Sequence, residues 1–438
     1  MSSIKVLYDT HSSGVSEAQL DKINELLQPE IETVKQAVGI GFDSEYSSIN
    51  LPANEKMIFG IKKIVAEKKE TSDPKTVIVI GIGGSNFGTI AVHEAINGLF
   101  YNESNPDVKL YFADSVDSDY IKTIFAFAQN ELDQNRNVLL NVVSKSGTTT
   151  ETIVNFQPFL DLLQKKRPDT YKDLVVVTTN KNSKLWNLAQ AEGFAALEVP
   201  EKVGGRYSVF SPVGLFPLCF VGIDIEQLLA GAQSMMEFCL QEKNPAASSA
   251  AIIFAQYQNG CSIHDTFLFS KDLAGVGAWY RQLVGESLGK ETDKEGTVVN
   301  TGITPTVSIG TNDLHSVTQL YLAGPYDKFT TFVTVEKGKD LYVPTLDPLK
   351  DFVANVQGIS YDKLRQAIVG GMYRAYRKQR RPFMRIELPE KTPYFIGQLL
   401  QLKMIEVMYL GFLLNVNPFD QPQVELYKIG TREILAGN

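Results

Sequence analysis

The sequence predicts an α/β protein of two lobes, each a parallel-rich sheet flanked by helices. Three observations predict it. Between Thr76 and Glu192, short apolar runs alternate with helix-length amphipathic segments. The alternation breaks over a helical stretch from Ser211 to Leu240 and then resumes. The 438 residues are 44% hydrophobic and 21% charged, which is ordinary for a globular protein and sufficient for two or three domains.

The elements follow in chain order. Ser16–Val38 repeats apolar and charged positions at helical spacing, and Lys56–Lys69 reads as a second helix. The first lobe begins with the run Thr76–Gly81, a buried strand entering a glycine cluster. Helix Val92–Phe100, strand Lys109–Phe112, helix Tyr120–Leu132, strand Val138–Val143, helix Glu151–Lys165, strand Leu174–Thr178 and helix Lys184–Glu192 continue it. In the second lobe, Thr266–Phe269, Pro305–Ile309 and Thr331–Val335 read as strands and Gly275–Gly285 as a helix. Pro393–Leu414 reads as a long apolar-rich helix, its proline at the one position where a helix start tolerates it. The expected division is a helical extension over 1–65, a first lobe over 66–210, a helical connection over 211–245, a second lobe over 246–425 and a C-terminal segment over 426–438. No sequence repeat between the lobes is evident.

Composition narrows the function. The formal charge is −8, from 42 basic and 50 acidic residues, which argues against a general nucleic-acid binder but leaves room for a local cationic site. Cys219, Cys239 and Cys261 are too few and too scattered for a disulfide framework and read as buried thiols. Met1–Gly14 lacks the basic and apolar regions of a signal peptide. The most apolar window, Val213–Ile223, contains Pro217 and falls short of the ~20 residues that span a bilayer. The expectation is a cytoplasmic protein with no membrane and no nucleic-acid partner.

Several segments carry chemistry. GIGGSNFG, Gly81–Gly88, lies between a buried strand and a helix, where glycines admit close backbone approach and the helix start favours an anion. The dinucleotide template G-x-G-x-x-G fails, because Asn86 occupies its sixth position; a tight structural turn is equally compatible with the loop alone. SKSGTTTET, Ser144–Thr152, is also a strand-to-helix loop. It places hydroxyls at Ser144, Ser146, Thr148, Thr149, Thr150 and Thr152. Hydroxyls and free N–H groups at a helix start suit a phosphate monoester, whereas capping needs only one of them. The Gly285–Glu291 stretch, GESLGKE, is one residue short of a Walker motif and has Glu291 where a hydroxyl is required.

That stretch also contains Glu286, four residues after Gln282 and so on the same helix face. A carboxylate there could abstract a proton next to a carbonyl; on spacing alone, an i,i+4 ion pair with Lys290 is the commoner outcome. Arg206, in EKVGGRYSVFSPVG (Glu201–Gly214), offers a permanent cation beside Gly204 and Gly205, or is simply a surface arginine in a glycine turn. His315 stands at an expected helix start as an acid/base or as a cap. The four histidines, at 11, 93, 264 and 315, show no metal-ligand spacing, and no metal or cofactor is expected.

Taken together, these segments resemble a known family. Glu201–Gly214 resembles the first diagnostic pattern of glucose-6-phosphate isomerases, and Gly411–Lys428, GFLLNVNPFDQPQVELYK, is similar to the second. The Gly83–Ser85 loop, Ser144–Thr152, Gly285–Lys290 and the His315 segment also look like that family, in its order along the chain. The resemblance runs from about Thr76 to Lys428, and the length is that of the shorter bacterial form. One position departs: the family usually has Gly or Ala where this chain has Gln423, which puts the backbone packing between Gln421 and Lys428 in question.

The resemblance implies two sugar-isomerase lobes and a homodimer whose active sites are shared, with His315 supplied by the partner chain. It implies a sugar phosphate substrate, held by Gly84, Ser85, Ser144, the Lys145 backbone, Ser146 and Thr149. Glu286 would move a proton between C2 and C1, and Arg206 with the Gly205 backbone would stabilise the cis-enediolate. His315 and Lys428 would open the ring, and Gln282 and Gln421 would position the sugar. A non-catalytic sugar-phosphate sensor is disfavoured by the joint presence of Glu286, Arg206, His315 and Lys428. Spacing alone does not settle activity on mannose 6-phosphate.

Overall fold

A computed structural model describes residues 3–437. The chain opens with strand β1 (Lys5–Leu7), a single helical turn α1 (Thr10–Ser13) and helices α2 (Glu17–Ala37) and α3 (Glu55–Thr71). Helix α2 starts where Ser16 and Gln19 form a reciprocal capping box. The first lobe comprises β2 (Pro74–Ile80), α4 (Phe87–Asn97), β3 (Lys109–Ala113), α5 (Ser118–Asp133), β4 (Asn137–Val143), α6 (Thr150–Lys166), β5 (Val175–Thr179), α7 (Lys184–Glu192) and β6 (Ala195–Glu198). Its sheet has the order β3-β2-β4-β5-β6 and every pairing is parallel. The central strands β2, β4 and β5 are mostly apolar and buried because helices cover both faces of the sheet.

Helices α8 (Pro212–Phe220), α9 (Ile225–Cys239) and α10 (Pro245–Gln258) connect the lobes. The second lobe contains β7 (Ile263–Leu268), α11 (Ala274–Leu288), the hairpin β8 (Lys290–Thr292) and β9 (Val298–Thr301), β10 (Thr304–Ile309), α12 (Thr318–Ala323), β11 (Lys328–Val335), α13 (Tyr361–Lys378) and β12 (Phe383–Leu388). Helices α14 (Pro393–Leu413) and α15 (Val424–Leu435) end the chain. The second sheet runs β1-β12-β11-β7-β10, parallel except where β1 pairs antiparallel with β12. The N-terminal extension is therefore not wholly helical. Its three-residue β1 closes a sheet edge formed some 380 residues later, with Lys5 opposite Glu387, and so short a strand has no periodicity of its own to read.

The strands and helices expected from sequence are present with shifted ends: the helix expected over Val92–Phe100 spans Phe87–Asn97, and the stretch Ser211–Leu240 is two helices rather than one. Elements β1, α1, β6, α10, β8, β9, α13 and β12 are additional to those the sequence predicts.

Helix α14 is long and apolar enough to cross a bilayer, yet 89% of its most apolar window is buried inside the protein, against α9, α10, α2 and α11. Its sequence is apolar on all sides because it is a central core helix. It carries one buried ion pair. Lys403 (2% exposed) donates to both carboxylate oxygens of Glu406 (0% exposed), at 3.1 and 2.9 Å. Tyr280 donates to Glu406 at 2.5 Å, the Ser249 hydroxyl donates as well, and the ammonium lies 4.5 Å from the Tyr280 ring centroid. Removing one partner strands the other charge in a dry interior. Glu406→Leu is accordingly expected to cost about 3–5 kcal/mol in urea unfolding, whereas Glu406→Leu with Lys403→Met recovers most of that loss. A double variant as unstable as the single would show that packing rather than charge dominates.

Candidate active site

Strand β2 is joined to β3 on one side of the sheet and lies beside β4 on the other, so the chain reverses direction across the sheet between β2 and β4. Ligands in open parallel sheets bind in the crevice beyond the strand ends at such a point. The two loops singled out in the sequence, after β2 and after β4, flank this crevice.

In the β4 loop the hydroxyls do not cap the helix. Thr149 is the N-cap of α6 but makes no side-chain capping bond. Its hydroxyl instead pairs with that of Ser144 at 2.9 Å, and the Ser144 Oγ accepts the Gly147 N–H at 3.1 Å. Ser146 Oγ accepts both the N–H and the hydroxyl of Thr148 at 3.3 Å. Gly147 has φ +69°, and a Cβ there would lie 2.8 Å from Ser183 Oγ; only glycine fits this turn. The loop is thus wound by its own hydroxyls, and Thr149 leaves the first turn of α6, at the positive end of its dipole, without a side-chain cap. Lys145 and Ser146 also border a polar cavity of about 470 Å³ shared with Asn180, Ser183 and Glu201. Burial pulls the Lys145 ammonium pKa down, Glu201 opposes this, and Arg206 is near enough to add to it.

The β2 loop meets the Arg206 turn backbone to backbone. A Cβ on Gly84 would lie 2.3 Å from the Gly205 carbonyl carbon, so Gly84 is a packing requirement as well as a loop residue. Ser208 Oγ donates to the Gly84 carbonyl at 3.3 Å. Ser85 sits half-buried in the short turn Gly83–Ser85. On the far side, a Cβ on Gly83 would lie 3.1 Å from the Gln282 amide nitrogen, which brings α11 into the same cluster.

Arg206 is not a surface residue: it is 2% exposed. A guanidinium has five N–H donors, and the structure gives five partners. Nε donates to Ser287 Oγ at 2.7 Å. One Nη donates to Gln421 Oε1 at 2.6 Å and to Glu286 Oε2 at 3.3 Å. The other donates to the carbonyls of Pro418 at 2.6 Å and Asp420 at 3.0 Å. Tyr207 lies under the guanidinium, 5.5 Å from its centre, and its hydroxyl is 3.2 Å from Ser287 Oγ. Phe419 packs between Tyr207 and Tyr46, with ring centroids at 5.7 and 4.8 Å.

Glu286 occupies the last turn of α11 with its side chain 30% exposed. Its other oxygen accepts from Gln282 Nε2 at 2.9 Å. The i,i+4 ion pair with Lys290 does not form. Helix α11 ends at Leu288, Gly289 is extended, and Lys290 opens β8, so the helical spacing does not exist there. Lys290 binds the Glu286 carbonyl and the Asp420 carboxylate instead. The Glu286 carboxylate therefore stays partly exposed, held by one amide and one guanidinium.

The structure brings together Gly84, Ser85, Gly205, Arg206, Gln282, Glu286 and Gln421, with Ser144, Lys145, Ser146 and Thr149 on the neighbouring loop. It does not bring His315 or Lys428 to them within this chain. His315 is exposed in the turn Asn312–His315 beyond β10. Lys428 lies on α15 and pairs with Glu425 at 2.6 Å. Gln423 is accommodated: it takes ordinary helical φ and ψ (−69°, −19°) at the start of α15 and its amide donates to Glu291. Ser287, Lys290, Asp420 and the Pro418 carbonyl were missed from sequence. Their adjacency to Glu286 and Gln421 was the one available signal, but a buried guanidinium's acceptors are chosen by tertiary contact.

The phosphoglucose isomerase family matches residues 67–437. A glucose-6-phosphate isomerase of Carboxydothermus hydrogenoformans is 33% identical over 96% of this chain and 91% of its own length. One from Thermus thermophilus is 35% identical over 82% of this chain and 83% of its own. Among solved structures, a hypothetical protein of Thermus thermophilus superimposes with a TM-score of 0.87 at 30% identity, covering 99% of this chain and 100% of that one. A glucose-6-phosphate isomerase from Chlamydia trachomatis shares the fold at a TM-score of 0.79 and 23% identity, over 96% and 86% of the two chains. With the family match extending from before β2 through α15, and with relatives aligned over most of both lengths, the chain belongs to the phosphoglucose isomerase family.

Proposed function

We propose that Glu286 is the base with which this enzyme interconverts glucose 6-phosphate and fructose 6-phosphate, the reaction of its family. The observation that carries the assignment is the Glu286 carboxylate itself: partly exposed, fixed by Gln282, and in contact with the buried cation Arg206. In the open-chain aldose, removal of the C2 proton places the bonding pair in a C1–C2 double bond and negative charge on O1. Returning the proton to C1, with the hydroxyl hydrogen passing from O2 to O1, gives the ketose. The C–H is weakly acidic, so the base needs a fixed cation for the developing oxyanion. Arg206 supplies it. Its contact with Glu286 is the longest of its five hydrogen bonds, and therefore the one an enediolate oxygen displaces at least cost, with the Gly205 backbone beside it.

The phosphate falls to Ser85, Ser144, Ser146, Thr149 and the Lys145 backbone. Their uncapped helix start and self-paired hydroxyls support this role. Because the phosphate is remote from C1 and C2, its binding energy orients the reacting carbons. Gln282 and Gln421 position the sugar hydroxyls. His315 and Lys428 open the ring. The same reading makes the enzyme a cytoplasmic homodimer. All three cysteines are unpaired, as suits a reducing compartment. Helix α15 buries none of its residues and exposes Leu426, Tyr427 and Ile434, and the irregular segment after β11 exposes Leu341, Leu349 and Phe352. These exposed apolar side chains are where a second subunit would pack, and that subunit would also deliver an exposed His315 to a site its own chain does not complete.

The ring-opening role has a direct test. His315→Ala is expected to slow turnover of cyclic substrate far more than that of open-chain analogues; equal losses on both would sink the role. Shared sites have another. Mixing unfolded and refolded His315→Ala and Glu286→Gln chains should restore activity well above either variant alone, because the mixed dimer regains one intact site. No restoration would place His315 within its own subunit's site.

A further inference from the structure

We infer that Lys290 is a positioning residue of the isomerase site, tying the backbone of Glu286 to the segment that carries Gln421 and faces Arg206. The inference rests on the reading of Glu286 as the base. An ammonium has three donors, and all three of those on Lys290 are used across this junction. One goes to the Glu286 carbonyl at 2.9 Å, one to the Asp420 carboxylate at 2.8 Å and one to the Asp420 carbonyl. The Lys290 side chain is only 6% exposed, so the pair is shielded in a way that surface pairs are not.

The connection is mechanical and specific. Asp420 immediately precedes Gln421, and its carbonyl also receives an Nη of Arg206 at 3.0 Å. Two cations from two different elements therefore converge on one peptide group, and the Asp420 carboxylate offsets their charge. Releasing Lys290 frees the 418–421 segment from α11. Its remaining ties are the Arg206 hydrogen bonds, the Tyr207 hydroxyl on the Pro418 carbonyl and the Phe419 ring between Tyr207 and Tyr46, so the guanidinium has to carry more of the loop and meet the substrate at once. Glu286 loses the anchor on its own carbonyl, at a helix end where the main chain has already turned into β8. The bond also lies in the wall of a cavity of about 230 Å³ lined by Glu286, Lys290, Asp420 and Gln421.

Steady-state kinetics on purified full-length protein with fructose 6-phosphate test this. Lys290→Met is expected to lower kcat about 10- to 100-fold, the usual consequence of displacing reacting groups by about 1 Å. KM should change little, because the phosphate grip lies on other loops. Lys290→Arg should restore most of the loss. Asp420→Asn should lose part of it, and Lys290→Met with Asp420→Asn should be no worse than Lys290→Met, since both break one link. A parental kcat for Lys290→Met, a loss confined to KM, or additive losses in the double variant would overturn the inference. If Lys290→Met does not fold, Asp420→Asn, whose side chain is half exposed, carries the test through the same split between kcat and KM. Glu286→Gln measured alongside separates the two readings. An active Glu286→Gln removes the base assignment, whereas an inactive one beside a fully active Lys290→Met removes only the positioning role.

Discussion

Glu286→Gln is expected to lower kcat roughly 10²–10⁴-fold, the range a positioned general base contributes, while sugar-phosphate binding is retained. The substitution is nearly isosteric. A glutamine oxygen can still accept from Gln282 or from Arg206, each of which already holds one carboxylate oxygen, at 2.9 and 3.3 Å. What is lost is the capacity to take a proton. Binding should persist because the proposed phosphate contacts lie on the loops after β2 and β4, on the other lobe. The decisive measurement is solvent deuterium entering C2 of glucose 6-phosphate, followed by NMR. Near-normal incorporation in the variant would remove Glu286 from the role of base, whatever the effect on net turnover.

Arg206→Met is expected to lower kcat/KM roughly 10³-fold, the upper end of what one transition-state donor contributes. It should also destabilise the protein by about 3 kcal/mol, because it leaves buried acceptors unpaired. Both effects follow from the partition of the five donors. Three bind the 418–421 segment and one binds Ser287, which leaves the Glu286 contact as the exchangeable one. Arg206→Lys is the sharper variant. It keeps the charge, but its three donors cannot serve acceptors placed around a planar fork. It should therefore recover stability only in part and activity hardly at all. Kinetics and urea unfolding on the same preparations separate the two losses. An Arg206→Met enzyme within about tenfold of the parent would place the oxyanion stabiliser elsewhere.

Much of the site was legible in sequence, and for a local reason. The loops after β2 and β4 announce themselves through composition, glycines in one and hydroxyls in the other, at the junction of a buried strand and a helix. Gln282 and Glu286 share a face because the helix that carries them continues through both. The spacing argument failed two residues beyond that helix. Lys290 is four positions from Glu286, but the helix ends at Leu288, so the predicted ion pair had no geometry to form in. Arg206 was open to reading as a surface residue in a glycine turn, since nothing in a GGR tripeptide says that the turn will be buried. The same limit hid β1, which exists only because β12 offers it an edge.

The sequence by itself determined the two-lobed α/β architecture, the two anion-ready loops, and, through its ordered motifs, the family. These are encoded in periodicity and composition over short windows, where each residue's neighbours along the chain decide its conformation. Only the tertiary structure decided which atoms meet. It chose the partners of Arg206, three of them more than 200 positions away, and it turned Lys290 from a helical ion pair into a tie between α11 and the 418–421 segment. The physical reason is that a buried charge must satisfy every donor with whatever acceptors the packing delivers, and packing is not a property of any local stretch of sequence.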